Sequence, residues 1–105
     1  MSLSTHVLDA VSGRPAVGVA VKLEHGGATV AEDVTDADGR VRELGALPTA
    51  GAYRITFDTG AWFAATGQEN FYPEVSIAFT VTDPAAHHHV PLLLAPYAYS
   101  TYRGS

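Results

Sequence analysis

The sequence predicts an all-β sandwich carrying one short helix. Three observations point there. Apolar and polar residues alternate with a period of two along most of the chain, the pattern of strands with one buried face. Turn residues punctuate the alternating runs about every ten residues, the spacing of a sandwich. The length of 105 residues suits a single hydrophobic core, so residues 1–105 form one domain.

About eight strands follow. The first covers 3–10 and ends at Ser12-Gly13-Arg14-Pro15. In the second, Val17, Val19, Val21 and Leu23 interleave with Gly18, Ala20, Lys22 and Glu24. His25-Gly26-Gly27 reads as a tight hairpin, with glycines free to take positive φ, leading to a third strand over 28–35. The Asx-rich turn Asp36-Ala37-Asp38-Gly39 leads to a fourth over 40–44. Pro48 to Gly51 forms the next connection. Tyr53, Ile55 and Phe57 then interleave with Arg54, Thr56 and Asp58. The segment Thr59 to Gly67 breaks the alternation and reads as a helix, with Asp58 or Thr59 as N-cap and Gly67 at C′. Pro73 fixes the entry to a sixth strand carrying Val75, Ile77, Phe79 and Val81. Two more strands cover 88–95 and 97–103.

Composition excludes several functions. The chain has no cysteine, hence no disulfide and no thiolate metal site. Eleven acidic residues against six Lys and Arg give a formal charge of −5 without a basic cluster, a poor match to a phosphate backbone. No apolar run reaches the roughly 18–20 residues of a membrane helix. Residues Met1 to His6 show neither a basic nor an apolar segment, so a cytoplasmic protein is expected. The charged fraction of only 16% suggests a surface partly covered by other subunits.

The run His87-His88-His89-Val90-Pro91-Leu92-Leu93-Leu94 is the most unusual feature. Period two puts His87 and His89 on one face and His88 on the other, beside Val90 and Leu92. Paired imidazoles at i and i+2 could chelate a metal, exchange protons near neutral pH, or simply be a solvated strand end. His6 shares a strand face with Ser4 and Leu8. Arg40 follows the Asp38-Gly39 turn, with Arg42 on its face. Taken alone, each reads as an ordinary surface residue, and His25 reads as solvated in its hairpin. The tail puts Tyr97, Tyr99, Thr101, Arg103 and Ser105 on one face. A tyrosine-dense tail suits a sheet edge or an interface.

Four segments occur together in this order: Leu3-Ser4-Thr5-His6-Val7-Leu8-Asp9, Thr35-Asp36-Ala37-Asp38-Gly39-Arg40, His89-Val90-Pro91-Leu92-Leu93-Leu94 and Tyr99-Ser100-Thr101-Tyr102-Arg103-Gly104-Ser105. Over the whole chain they resemble the transthyretin-related 5-hydroxyisourate hydrolases. The terminal Tyr-Arg-Gly-Ser is the most specific element. The resemblance implies a transthyretin-like β-sandwich of two four-stranded sheets with Greek-key connections and one short helix. It implies a homotetramer, a dimer of dimers, with sites in the channel between facing subunits. It also implies hydrolytic ring opening of 5-hydroxyisourate without a cofactor or a metal. Its catalytic positions fall on His6, Arg40 and His89, and its substrate-binding positions on His6, Arg40, His87, Tyr102, Arg103 and Ser105. A small-molecule carrier of the transthyretin type and a histidine metal-binding module are the competing readings. The polar set His6, Arg40, His89 and the Ser-ended tail argues against a carrier of apolar ligands.

Overall fold

In the computed structural model, which describes residues 2–105, nine strands and one helix are present among the described residues. They are β1 (Leu3–Asp9), β2 (Arg14–Pro15), β3 (Ala20–His25), β4 (Ala28–Val34), β5 (Arg40–Val41), β6 (Gly51–Phe57), α1 (Thr59–Ala65), β7 (Val75–Val81), β8 (His88–Ala95) and β9 (Ala98–Thr101). One sheet has the order β2-β1-β8-β9, with β5 also paired to β1; the other has the order β4-β3-β6-β7. The chain crosses between sheets four times, after β2, β4, β5 and β7, which gives Greek-key connectivity.

All eight expected strands exist, with three changes. The site-bearing sheet has five strands rather than four, because Arg14–Pro15, expected only as a break, pairs with Leu8 and Asp9. A two-residue strand ending in proline has no alternation to detect, and proline is tolerated at a sheet edge. The second strand begins at Ala20, not Val17: Gly18 sits at φ +84° and Val17 is 52% exposed. The fourth and eighth shrink to Arg40–Val41 and Ala98–Thr101.

The core lies between the sheets. Leu3, Val7, Val21, Leu23, Tyr53, Ile55, Phe57, Leu92 and Leu94 are all buried there, as their alternation requires. Burial of each large apolar side chain contributes about 1.5–3 kcal/mol. The polar groups that enter the core are satisfied. Thr35 Oγ1 donates to the Ala16 carbonyl at 2.7 Å and accepts from Val19 N–H at 2.9 Å. Trp62 Nε1 donates to the Val17 carbonyl at 2.9 Å, and Tyr53 Oη to that of Thr49 at 2.8 Å. α1 is capped as expected: Asp58 accepts from Ala61 N–H at 3.2 Å, and Gly67 takes φ +71° just past the C-cap.

One pairing decides where the chemistry can sit. β1 and β8 run parallel, with Ser4 opposite His89 and His6 opposite Pro91. The beginning and end of the chain therefore share one sheet face.

Candidate active site

β1 alternates strictly. Leu3, Thr5 and Val7 point into the core, while Ser4 and His6 are half-buried on the outer face. β5 pairs antiparallel with β1 and sets Arg40 directly opposite His6. The preceding turn fixes that placement. The Asp36 carboxylate accepts from Asp38 N–H at 2.8 Å and from Arg40 N–H at 3.0 Å. These hydrogen bonds hold its pKa below the ordinary value for aspartate. Gly39 has φ +72°, and a Cβ there would stand 2.5 Å from the Val7 carbonyl oxygen, so only glycine lets the turn lie against β1.

β8 supplies the imidazoles, and the expected division of faces is present. His88 is buried with Val90 and Leu92, its Nδ1 3.0 Å from the Ala86 carbonyl. His87 and His89 both turn to the outer face. A single hydroxyl joins them: Ser4 Oγ lies 2.7 Å from His89 Nδ1 and 2.8 Å from His87 Nε2. Ser2 Oγ extends the chain to His87 Nδ1 at 3.3 Å. His87 is exposed and His89 is half-buried.

Both inner imidazoles are held neutral. The pKa of His6 lies below its ordinary value, first through burial and then through the Arg40 charge; the nearby Asp36 and Asp38 oppose this. The pKa of His89 is lowered by burial, then by Arg40, with the like charges of His6 and His87 adding. At pH 7 both rings therefore offer a free nitrogen lone pair beside a fixed positive charge.

The tail closes one side. After β9, Gly104 N–H donates to the His89 carbonyl at 2.9 Å, in the register that β8 and β9 set earlier. Opposite the intervening Pro91 the ladder is broken, since proline has no N–H, and Thr101 Oγ1 donates to the Pro91 carbonyl instead at 2.7 Å. Tyr102 and Arg103 line a cavity of about 300 Å³ beside His89, walled also by Ile77, Phe79 and Val90. Arg40, Ser4 and His87 line a second, of about 190 Å³. Ser105 is exposed, one residue beyond the bridge to His89.

His6, Arg40, His87 and His89 thus share one outer face, with Tyr102 and Arg103 at its border. Arg42 also lines the second cavity and pairs with Asp38 at 3.3 Å. His25, expected to be solvated, stacks on Tyr53 at 4.1 Å and lies 2.9 Å from the Ala52 carbonyl, a packing role far from this face. Sequence reasoning did not single out Ser2, Ser4, Asp36 or Gly104. The shared face of Ser4 and His6 was the available signal; the parallel register that brings Ser4 to His89 was not.

Fold and site together define a transthyretin-like β-sandwich with two neutral imidazoles and a guanidinium on one sheet face. The chain belongs to the HIUase/Transthyretin family, whose profile matches residues 3–104. It is 46% identical over 112 residues to a 5-hydroxyisourate hydrolase of Caulobacter vibrioides, covering 98% of this chain and 97% of that one. Among solved structures it is similar to 5-hydroxyisourate hydrolase of Klebsiella pneumoniae, with 47% identity, a TM-score of 0.92 and full coverage of both chains. It is also similar to sea bream transthyretin in complex with thyroxine, at 34% identity and TM-score 0.88, covering 99% and 95%.

Proposed function

We propose that this protein hydrolyses 5-hydroxyisourate to 2-oxo-4-hydroxy-4-carboxy-5-ureidoimidazoline, a step of urate degradation. The observation that carries the reading is the pairing of His6 with Arg40 on a face shared with His89, in a chain similar along its whole length to hydrolases of that substrate.

The chemistry follows from the groups. A neutral imidazole takes a proton from water, and the oxygen attacks a ring carbonyl. The carbon–nitrogen bond then breaks, and the ring nitrogen takes a proton. Such proton transfer contributes roughly 10²–10⁴-fold. His6 and His89 share the base role. Arg40 presents a planar fork to the developing oxyanion. Tyr102, Arg103, His87 and Ser105 border the substrate. No cofactor or metal enters the scheme.

The reading includes a homotetramer, a dimer of dimers, with the site completed across subunits. Supporting it are the apolar side chains left exposed on one chain, Phe71, Tyr97, Tyr99 and Tyr102. Light scattering at micromolar concentration tests this, and a monomer overturns it. Among the described residues no helix is long and apolar enough to cross a membrane; a cytoplasmic location is part of the proposal, tested by fractionation.

The deciding experiment generates 5-hydroxyisourate with urate oxidase and follows its ultraviolet absorbance. Decay faster than the spontaneous background supports the reading; decay at the background rate overturns it. A carrier function is the second reading, favoured by the apolar wall of Ile77, Phe79 and Val90. Saturable binding without turnover would support it.

A further inference from the structure

The hydrogen-bonded chain Ser2–His87–Ser4–His89 runs from solvent to the half-buried imidazole, and the scheme above uses only its inner end. Ser4 has one hydroxyl hydrogen and two imidazole neighbours at 2.7 and 2.8 Å. It can donate to at most one ring and must accept from at least one. The tautomers of His87 and His89 are therefore coupled: the two nitrogens that face Ser4 cannot both be bare. If His89 carries its proton on Nδ1 and donates to Ser4, then Ser4 donates to His87 Nε2, and His87 Nδ1–H points to Ser2. In that polarity His89 Nε2 is a bare lone pair. This nitrogen has no hydrogen-bond partner among the described residues, and His89 is one of the residues bordering the cavity that Tyr102 and Arg103 line.

We infer that Ser4 is a positioning residue that keeps the His89 proton on Nδ1 and, with His87, conducts the proton released by each turnover to solvent. The inference rests on the hydrolase reading. Hydrolysis of the ring brings in two water hydrogens. One ends on the departing ring nitrogen, which becomes part of a non-basic ureido group. The other must leave, because the product carboxyl group, with a reference pKa of about 4, is ionised at neutral pH. His89 Nε2 collects that proton; Nδ1 passes its own to Ser4 Oγ. Ser4 passes its former proton to His87 Nε2, and His87 releases one from Nδ1 to water. Every group ends neutral, and one proton has moved out. Before the next turnover each imidazole exchanges with water, gaining a proton on Nδ1 and losing one from Nε2; with rotation of the two hydroxyls this restores the starting polarity with no net proton uptake.

The surroundings favour export along this path. The groups facing His89 are Arg40 from β5, His6 and Ser4 from β1, and His87 on its own strand's approach, so the charged ones are all positive or become so. A proton is disfavoured at half-buried His89, and the path ends at His87, which is exposed to water.

The test uses the full chain with Ser4→Ala, Ser4→Thr and His87→Gln. Nitrogen NMR of the imidazoles reads the tautomer without any substrate. Wild type and Ser4→Thr should show His89 protonated on Nδ1, and Ser4→Ala a mixture. In dilute, non-transferring buffer, Ser4→Ala and His87→Gln should lose about tenfold or more in kcat, with KM little changed, as expected for an impaired proton transfer. Added imidazole buffer should restore much of the loss, and Ser4→Thr should keep most of kcat. A tautomer unmoved by Ser4→Ala overturns the positioning role. A kcat loss that no buffer relieves, or one carried by KM, overturns the relay. If Ser4→Ala does not fold, Ser4→Thr and His87→Gln decide by the same two readouts. Failure of wild type to consume 5-hydroxyisourate would sink the hydrolase reading, whereas the tautomer measurement still judges Ser4.

Discussion

Gly104 donates its backbone N–H to the His89 carbonyl and lies so close beneath the His89 ring that a Cβ would collide with it. Its φ is not in the left-handed region, so the demand for glycine is purely steric. Gly104→Ala should therefore displace the His89 ring and lower kcat/KM by roughly tenfold to a hundredfold, the scale of a small misplacement of a reacting group. Gly67→Ala is the matching control: it has space around it but φ +71°, so it should lower the melting temperature and leave turnover alone. Reversal of that pattern in the absorbance assay and thermal melts would refute the steric account.

His6→Ala, Arg40→Ala and His89→Ala should each lower turnover by about 10²-fold or more, the loss expected for an acid–base or oxyanion group. His25→Ala should retain wild-type turnover, since that ring packs on Tyr53 away from the site. His88→Ala should also turn over normally but lose roughly 1–3 kcal/mol of stability, because it empties a buried position and strands its backbone partner. Denaturant titration beside the absorbance assay separates the two effects.

The alternating faces of β1 and β8 made His6, His87 and His89 recognisable as outward-facing strand residues. Turn chemistry at Asp36–Gly39 located Arg40. What stayed hidden depends on partners distant in sequence. β2 is too short to show a period, and β5 is held by pairing with β1 and by its turn rather than by an alternation of its own. Ser4 looked like any strand serine because its role arises from a neighbour 85 positions away. Gly104 stood within the distinctive Tyr-Arg-Gly-Ser ending, but the reason for a glycine there lies in the His89 ring, which occupies the space its side chain would need.

The lowered pKa values of His6 and His89, with burial the leading cause in both, set the pH response. Turnover should be flat near neutrality and fall as acid protonates the bases, with an acid limb below the reference histidine value of about 6.5. Stability should move the same way. Below about pH 6.5 the unfolded chain binds these protons more readily than the folded one, so stability declines as pH falls from there toward the folded-state pKa values. Arg40→Met should raise both imidazole midpoints in an NMR titration without bringing them fully to the reference, since burial remains. Midpoints unchanged by Arg40→Met would contradict the assigned electrostatics.

Deleting Tyr102 to Ser105 should abolish most activity while the subunit stays folded. These residues add little to the core: Tyr102 is 60% exposed, and β9 ends at Thr101. They do remove the cavity border and the Gly104 contact to His89. Circular dichroism, sizing and the absorbance assay together read the outcome. A truncated protein with full activity would show that the tail is not part of the site, and one that dissociates would show that it acts through assembly.

The parallel pairing of β1 with β8 has a consequence for biosynthesis. Synthesis runs from the N-terminus, so His6 and then Arg40 are made well before their third partner, His89 on β8. The ribosome must release everything from β1 through β8 before Ser4 and His89 can meet, and closing so long a loop carries an entropic cost that local contacts do not. A nascent chain that stops short of β8 would hold His6 and Arg40 without His89, so the proposed constellation would arise only after the sandwich has closed.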